Sequence, residues 1–162
     1  MRRQGRIRVE KGVIMMNKRM IFILGEIYGR LSTVVPSAED PAQFKQACIN
    51  PFLGFSTVYL KARQSGALTK DIEDYIGVRL TDVDADEVTG TCDVETQGVF
   101  QIGYYKGKTP KTAAQLIEKI GKSYQKIADE LNVSKMTVAR WAQGTEPSEG
   151  KKYLLEKMTW DF

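Results

Sequence analysis

The residues best suited to bind a ligand form a short run from Ser134 to Gln143. Hydroxyls, two cations, a thioether and an amide stand there, at positions that one exposed side of a helix can present. Side chains of these types can contact the phosphates and base edges of duplex DNA. We therefore predict DNA contacts from six residues, namely Ser134, Lys135, Met136, Thr137, Arg140 and Gln143.

Two short helices joined by a tight turn would position these residues, and the pattern from Tyr124 to Gln143 predicts them. Its apolar residues form one buried set: Ile127, Ala128, Leu131, Val133, Val138 and Trp141. Ala128 is small enough for the second helix to cross close over the first, and Asn132 stands where a left-handed turn is tolerated. Ser134 is placed to cap the second helix. The alternative is an ordinary helical hairpin with a polar face.

This segment resembles the Cro/C1-type family of phage and bacterial repressors. In that family the third helix ends with an aromatic residue and a glycine, and a proline precedes the next helix. Trp141, Gly144 and Pro147 match this order. Flanking helices are predicted over Lys111 to Ile120 and over Tyr153 to Met158. The resemblance implies a helix-turn-helix domain over residues 109–162 with double-stranded DNA as its partner, although such modules also serve as protein-protein adaptors.

Length and charge favour two small domains. The chain has 162 residues and a formal net charge of +4. Residues 1–20 have seven basic and one acidic side chain, residues 21–100 have six and twelve, and residues 101–162 have eleven and seven. A basic C-terminal module suits a phosphate backbone, whereas an acidic middle region would be repelled by it unless its cations cluster on one face. The cations available for such a stripe are Lys45, Lys61, Arg63, Lys70 and Arg79.

Nothing in the sequence indicates a metal site, a cofactor or an active site. Cys48 and Cys92 are too isolated for a zinc cluster, and the chain has no histidine to complete one or to act as a general base. The acidic run from Asp82 to Glu87 lacks the spacing of a calcium loop. We expect two free thiols, a reducing cytoplasm and no enzymatic activity. The apolar run from Met20 to Leu24 is too short to cross a membrane.

Residues 20–108 have helical periodicity and no convincing alternating strands, so a small all-α bundle is predicted before the helix-turn-helix domain. The first helix begins at Met20, and Gly25 and Gly29 would allow close contact with another helix. Further helical patterns follow from Ala42 to Cys48, from Phe52 to Leu60, from Leu68 to Leu80 and from Thr96 to Tyr105. The last of them is expected to supply core side chains from Val99, Phe100, Ile102 and Tyr104, while Tyr105 lies off that face and is expected to project.

Two stretches of this middle region resemble the small-subunit domain of the type I-C CRISPR effector, the C-terminal part of that family's large subunit. They are FILGEIYGRL, from Phe22 to Leu31, and QGVFQIGYYKGK, from Gln97 to Lys108. The resemblance implies a helical bundle that contacts neighbouring effector subunits and displaced single-stranded DNA. Lys61, Arg63 and Tyr105 are the candidates for those contacts. The family usually continues into a His-Gln pair, which is absent here.

Residues 1–19 contain basic residues without helical periodicity. We expect either a disordered arm or an overlong gene prediction, since Met15, Met16 and Met20 are further possible start codons. A disordered arm would either contact phosphates and the minor groove or be simply solvated.

Three functions remain open from the sequence. The first is a DNA-binding protein with a CRISPR small-subunit-like domain, which we favour. The second is a phage-encoded mimic that blocks the effector while its repressor-like module controls its own operon. The third is a helix-turn-helix transcriptional regulator whose middle bundle forms a homodimer or senses a partner.

Overall fold

The computed structural model describes residues 9–10, 13–14 and 16–160. It confirms an all-α fold, to which one antiparallel pair of two-residue strands is added, β1 (Val9–Glu10) and β2 (Val13–Ile14). The helices of the described residues are α1 (Lys18–Ser32), α2 (Pro41–Ile49), α3 (Pro51–Ser65), α4 (Lys70–Leu80), α5 (Val94–Lys108), α6 (Ala113–Ile120), α7 (Tyr124–Leu131), α8 (Lys135–Ala142) and α9 (Glu149–Lys157). Two short 3₁₀ helices span Pro36–Glu39 and Ala85–Glu87. The chain divides into two compact units, one ending at Thr109 and one starting at Pro110.

Side-chain caps explain where helices begin earlier than the apolar pattern predicts. Asn17 accepts a hydrogen bond from the Met20 amide, so α1 starts at Lys18, two residues before its predicted start at Met20. Asp93 caps α5 in the same way. Ser148 caps α9, which therefore begins a full turn before Tyr153. The rest of the expected disordered arm, residues 1–8, 11, 12 and 15, lies outside the described residues.

Helix α1 is the centre of the first unit. Every residue from 21 to 29 is buried, because α3, α4 and α5 all pack around this helix. A helix that is buried on all sides has no solvent-facing stripe for periodicity to detect.

Four glycines bring α1 and α5 into direct backbone contact. A methyl group on Gly25 would overlap the carbonyl oxygen of Phe100, and one on Gly103 would overlap that of Phe22. Gly29 and Gly107 lie equally close to backbone atoms of the opposite helix. The contacts advance together along both helices, so α1 and α5 run parallel. The close approach predicted for the glycines of α1 is confirmed.

An aromatic cluster fills the space beside this glycine contact. It consists of Tyr28, Phe44, Phe100 and Tyr104, whose ring centroids lie 4.6–6.5 Å apart in the recorded pairs. Phe100 is fully buried and Tyr104 is nearly so. The Tyr28 hydroxyl donates to the Ala38 carbonyl oxygen at 2.7 Å, and burial raises the pKa of Tyr28 above its usual range.

The prediction that Ile102 belongs to the core is wrong. Its side chain is 56% exposed, and Tyr105 is 62% exposed. Gly103 and Gly107 occupy the side of α5 that contacts α1, which turns Ile102 and Tyr105 outward. The outward position expected for Tyr105 is confirmed.

A buried ion pair joins α1 to α4. The Nε atom of Arg79 lies 3.5 Å from Oε1 of Glu26, and both side chains are only 2% exposed. The guanidinium also lies 3.6 Å from the ring centroid of Tyr75 and donates to the Tyr75 carbonyl oxygen. Arg79 therefore cannot belong to the surface stripe of cations that the sequence suggested. Lys70 is exposed but is paired with Asp74.

The second unit has its own hydrophobic core. Residues of α6, α7, α8 and α9 form it, namely Ala113, Leu116, Ile117, Ile127, Ala128, Leu131, Val138, Trp141 and Leu155. Because these contacts lie within residues 110–162, we expect a fragment of residues 109–162 to fold alone. Circular dichroism should show helical content and a cooperative thermal transition. A fragment without helix, while the full chain melts in one step, would contradict this prediction.

Candidate nucleic-acid interface

The turn between α7 and α8 has the geometry that a helix-turn-helix requires. Asn132 ends α7 in the left-handed conformation, with φ 56° and ψ 49°. The Val133 amide donates back to the Ala128 carbonyl oxygen at 3.0 Å, which closes the end of α7. The side chain of Ser134 then accepts from the Thr137 amide at 3.1 Å and starts α8. The turn and cap predicted from the sequence are therefore both present.

Neighbouring helices fix the inner side of this motif. Val138 and Trp141 of α8 are buried in the core of the second unit. Lys151 of α9 donates to the Leu131 carbonyl oxygen at 3.0 Å, where α7 ends. The carboxylate of Glu146 accepts from the Ala113 amide at the start of α6 and also pairs with Lys152 at 3.1 Å. Burial of Val138 and Trp141 keeps one side of α8 in the core, and its other side faces solvent.

The outer side of α8 presents most of the predicted DNA-binding residues. Lys135, Met136, Arg140 and Gln143 are exposed. Thr137 is half-buried, and its hydroxyl lies 2.8 Å from that of Ser134. The pair Ser134 and Thr137 therefore shapes the start of the helix, whereas the other four side chains reach into solvent.

The exposed cations of α8 are not neutralised by neighbouring carboxylates. No ion pair involves Lys135 or Arg140 in the described part of the chain, and α8 itself contains no acidic residue. The Arg140 guanidinium lies 3.7 Å from the Met136 sulfur, which keeps it over the exposed face. By contrast, Lys122 is paired with Glu130 at 3.3 Å. This face can attract phosphates without first breaking an internal ion pair.

Two exposed residues outside the predicted set lie on the neighbouring helix α7. Tyr124 and Lys126 are exposed in the first turn of α7, which Ser123 caps by accepting from the Lys126 amide. In a helix-turn-helix the first helix crosses the phosphate backbone, so a tyrosine and a lysine there are suited to phosphate contacts. Ser123 just before this basic turn was the signal that could have identified them.

The three candidate contacts of the first unit do not form a comparable surface. Lys61 and Arg63 are exposed on α3, and Tyr105 is exposed on α5. Lys61 hydrogen-bonds to Ser37 and lines a shallow depression together with the acidic residues Glu39 and Asp40. Those carboxylates oppose nucleic-acid binding at Lys61.

The cysteines have the properties of structural thiols. Both Cys48 and Cys92 are free and buried. Burial raises the pKa of Cys92 to about 12, so its thiol stays neutral. In the described ranges no three His, Cys, Asp or Glu side chains gather in a way that could hold a metal ion. In the same ranges, no helix has both the length and the apolar character that a membrane crossing requires.

The comparison with known families agrees with this geometry. Residues 107–147 match a family model described as a homeodomain-like domain. The match covers α6, the α7–α8 pair and the end of α5, which is well under half of the chain. It supports a helix-turn-helix module and the DNA binding associated with it. Neither a curated protein nor a solved structure matches the chain.

Proposed function

We propose that this protein binds double-stranded DNA by placing α8 in the major groove. The observation that supports the proposal most directly is the exposed face of α8, on which Lys135 and Arg140 have no carboxylate partner within the described residues. An α-helix fits the width of the major groove, and its exposed side chains can then meet base edges. No catalytic step belongs to this proposal.

The chemistry of each side chain suggests its role. Arg140 can donate two hydrogen bonds to a guanine edge, and Gln143 can pair with adenine in the same bidentate way. Met136 offers an apolar contact to a thymine methyl group. Lys135, at the start of α8, and Lys126, on α7, are placed for phosphates, which also favour the positive end of a helix. Ser134 and Thr137 stabilise the first turn of α8, so that its backbone can face a phosphate.

We expect Arg140→Ala to weaken specific DNA binding by about 1–3 kcal/mol, because one bidentate base contact is lost. Lys135→Ala should weaken binding to all sequences. It should also reduce the slope of log affinity against log salt concentration by about one, as expected for the loss of one phosphate contact. The operator is first selected from a random duplex library, and affinities are then measured by fluorescence anisotropy over a range of salt concentrations.

Lys45→Ala is the matched control for these variants. Lys45 is an exposed cation of the first unit, on α2, so its loss changes the net charge equally without touching α8. Affinities of Arg140→Ala and Lys135→Ala that equal that of Lys45→Ala at every salt concentration would contradict the proposed site.

A second candidate function rests on the sequence resemblance of the first unit to the CRISPR small subunit. The stretches from Phe22 to Leu31 and from Gln97 to Lys108, which resemble the CRISPR small subunit, lie on α1 and α5 and pack directly through their glycines. The resemblance implies a helical bundle, and both stretches lie within one helical unit. The chain would then contact effector subunits or displaced single-stranded DNA, either as an effector component or as a phage-encoded mimic that inhibits it.

Affinity purification separates these alternatives from a regulator that binds DNA only. The tagged full-length chain is mixed with a purified type I-C effector that lacks its own small subunit, and retained subunits are identified by mass spectrometry. Retention that persists in the Arg140→Ala variant supports the second function. Binding of the effector to its target DNA is then measured: a chain that restores this binding is a component, and a chain that blocks it is a mimic. If no effector subunit is retained, transcriptional regulation through DNA binding is the remaining function. The reducing cytoplasm is the proposed compartment, since both thiols are free.

A further inference from the structure

Helix α5 has a second apolar face, opposite the one that contacts α1. Val94, Gly98, Ile102 and Tyr105 follow one another at intervals of four, four and three residues, which places them along one side of the helix. Val94 is 83% exposed, and Ile102 and Tyr105 are more than half exposed. A Cβ atom added at Gly98 would meet no atom within 4 Å. We call these four residues the outer stripe of α5.

The outer stripe is complementary in shape to itself. Gly98 leaves a gap in the helix surface, and Ile102 projects one turn further along. If a second α5 packs in the antiparallel direction about a two-fold axis near residue 100, each Ile102 enters the gap at the partner's Gly98. Each Tyr105 then covers the partner's Val94. Two-fold symmetry makes each contact occur twice, so the same four residues form both sides of the interface.

Charge along α5 favours the same antiparallel direction. Glu95 is exposed near the start of the helix and Lys106 is exposed near its end. Antiparallel packing brings Glu95 near the partner's Lys106, whereas parallel packing would bring like charges together. Glu95 already contacts Lys18 of its own chain, so the pairing would extend an existing ion pair. The helix dipoles also oppose one another in this arrangement.

We propose that the protein forms a homodimer through the outer stripes of two antiparallel α5 helices. The dimer does not depend on DNA, and it stands or fails separately from the proposed function. Where the chain does bind DNA, two copies would match two half-sites related by two-fold symmetry.

Sedimentation equilibrium of the full chain without DNA, from sub-micromolar to high-micromolar concentrations, tests this proposal. We expect a concentration-dependent monomer–dimer equilibrium. Gly98→Leu fills the gap and should weaken dimerisation by about tenfold or more. Gly77→Leu on α4 is the matched control, because Gly77 is also a helical glycine with open space around its added Cβ. It should leave the dimer unchanged.

Further variants test the side chains and the direction. Ile102→Asp should abolish the dimer while the melting temperature of the dilute monomer is kept, because Ile102 is exposed. Glu95→Lys should weaken the dimer, and addition of Lys106→Glu in the same chain should restore it. A chain that stays monomeric at every concentration would overturn the proposal. The outer stripe would then be a candidate contact for a different protein. A dimer that Gly98→Leu and Gly77→Leu affect equally would also overturn it.

Discussion

Replacing Arg79 by methionine is expected to destabilise the first unit by about 3–5 kcal/mol, one of the two largest effects predicted for this protein. Arg79 and Glu26 are each 2% exposed, so the substitution removes the guanidinium that lies beside the buried Glu26 carboxylate. Desolvation of an unpaired charge costs far more than a surface ion pair contributes. Loss of the guanidinium also removes its contact with the Tyr75 ring.

The double variant Glu26→Leu with Arg79→Met is the decisive control. It removes both charges and keeps apolar volume, so its stability should return to within about 1–2 kcal/mol of that of the original chain or exceed it. Urea unfolding followed by circular dichroism measures both variants. A single variant as stable as the original chain would show that the pair is accessible to water, contrary to its burial.

The second large effect is expected for Phe100→Ala. Phe100 is fully buried between Tyr28 and Phe44, with ring centroids 5.6 Å and 6.5 Å away. Its removal opens a cavity beside the rigid glycine contact of α1 and α5, which prevents the helices from closing the gap. The cost should be about 3–5 kcal/mol, a large fraction of the roughly 5–15 kcal/mol by which folded domains are generally stable.

Two optical signals distinguish unfolding of the first unit from unfolding of the second unit. Both tryptophans, Trp141 and Trp160, lie after Pro110, so tryptophan emission reports on the second unit. Phe100→Ala should shift the circular-dichroism transition and leave the tryptophan transition nearly unchanged. Tyr105→Ala, on the exposed side of the same helix, should change neither in dilute solution. Equal destabilisation by Phe100→Ala and Tyr105→Ala would contradict the assignment of core and surface on α5.

The sequence predicted the helix-turn-helix well because local chemistry determines it. Asn132 at the turn and Ser134 at the cap act within a few residues of their own position, and the structure shows both as expected. Helix starts were less accurate where a cap stood outside the apolar pattern, as with Ser148 before α9. A cap side chain acts on backbone amides, which hydrophobic periodicity does not register.

The first unit was predicted less well because distant contacts decide it. Ile102 has the composition of a core residue, yet the glycines of α5 take the inner position and turn it outward. Arg79 has the composition of a surface residue, yet Glu26 offers it a partner inside the bundle. Both outcomes depend on a helix far away in the chain, and no local pattern contains that information.

The sequence pattern predicted the exposed face of α8 but did not single out Tyr124 and Lys126 on α7. Apolar residues at helical spacing separate the inner side of α8 from its outer side, so Lys135, Met136, Arg140 and Gln143 were identified correctly as exposed. Tyr124 and Lys126 were not predicted because the apolar periodicity of α8 carries no information about its neighbouring helix.

The parallel contact of α1 and α5 also sets the order in which the protein can fold during synthesis. Gly25 and Gly29 need α5 as their neighbour, and α5 is translated last among the helices of the first unit. The largely apolar α1 must therefore wait, without its main partner, until the ribosome has released residues up to Lys108. Such long-range closure slows folding and leaves apolar surface open to aggregation or to chaperones. The helix-turn-helix that follows depends on neighbours close in sequence and can form soon after it emerges.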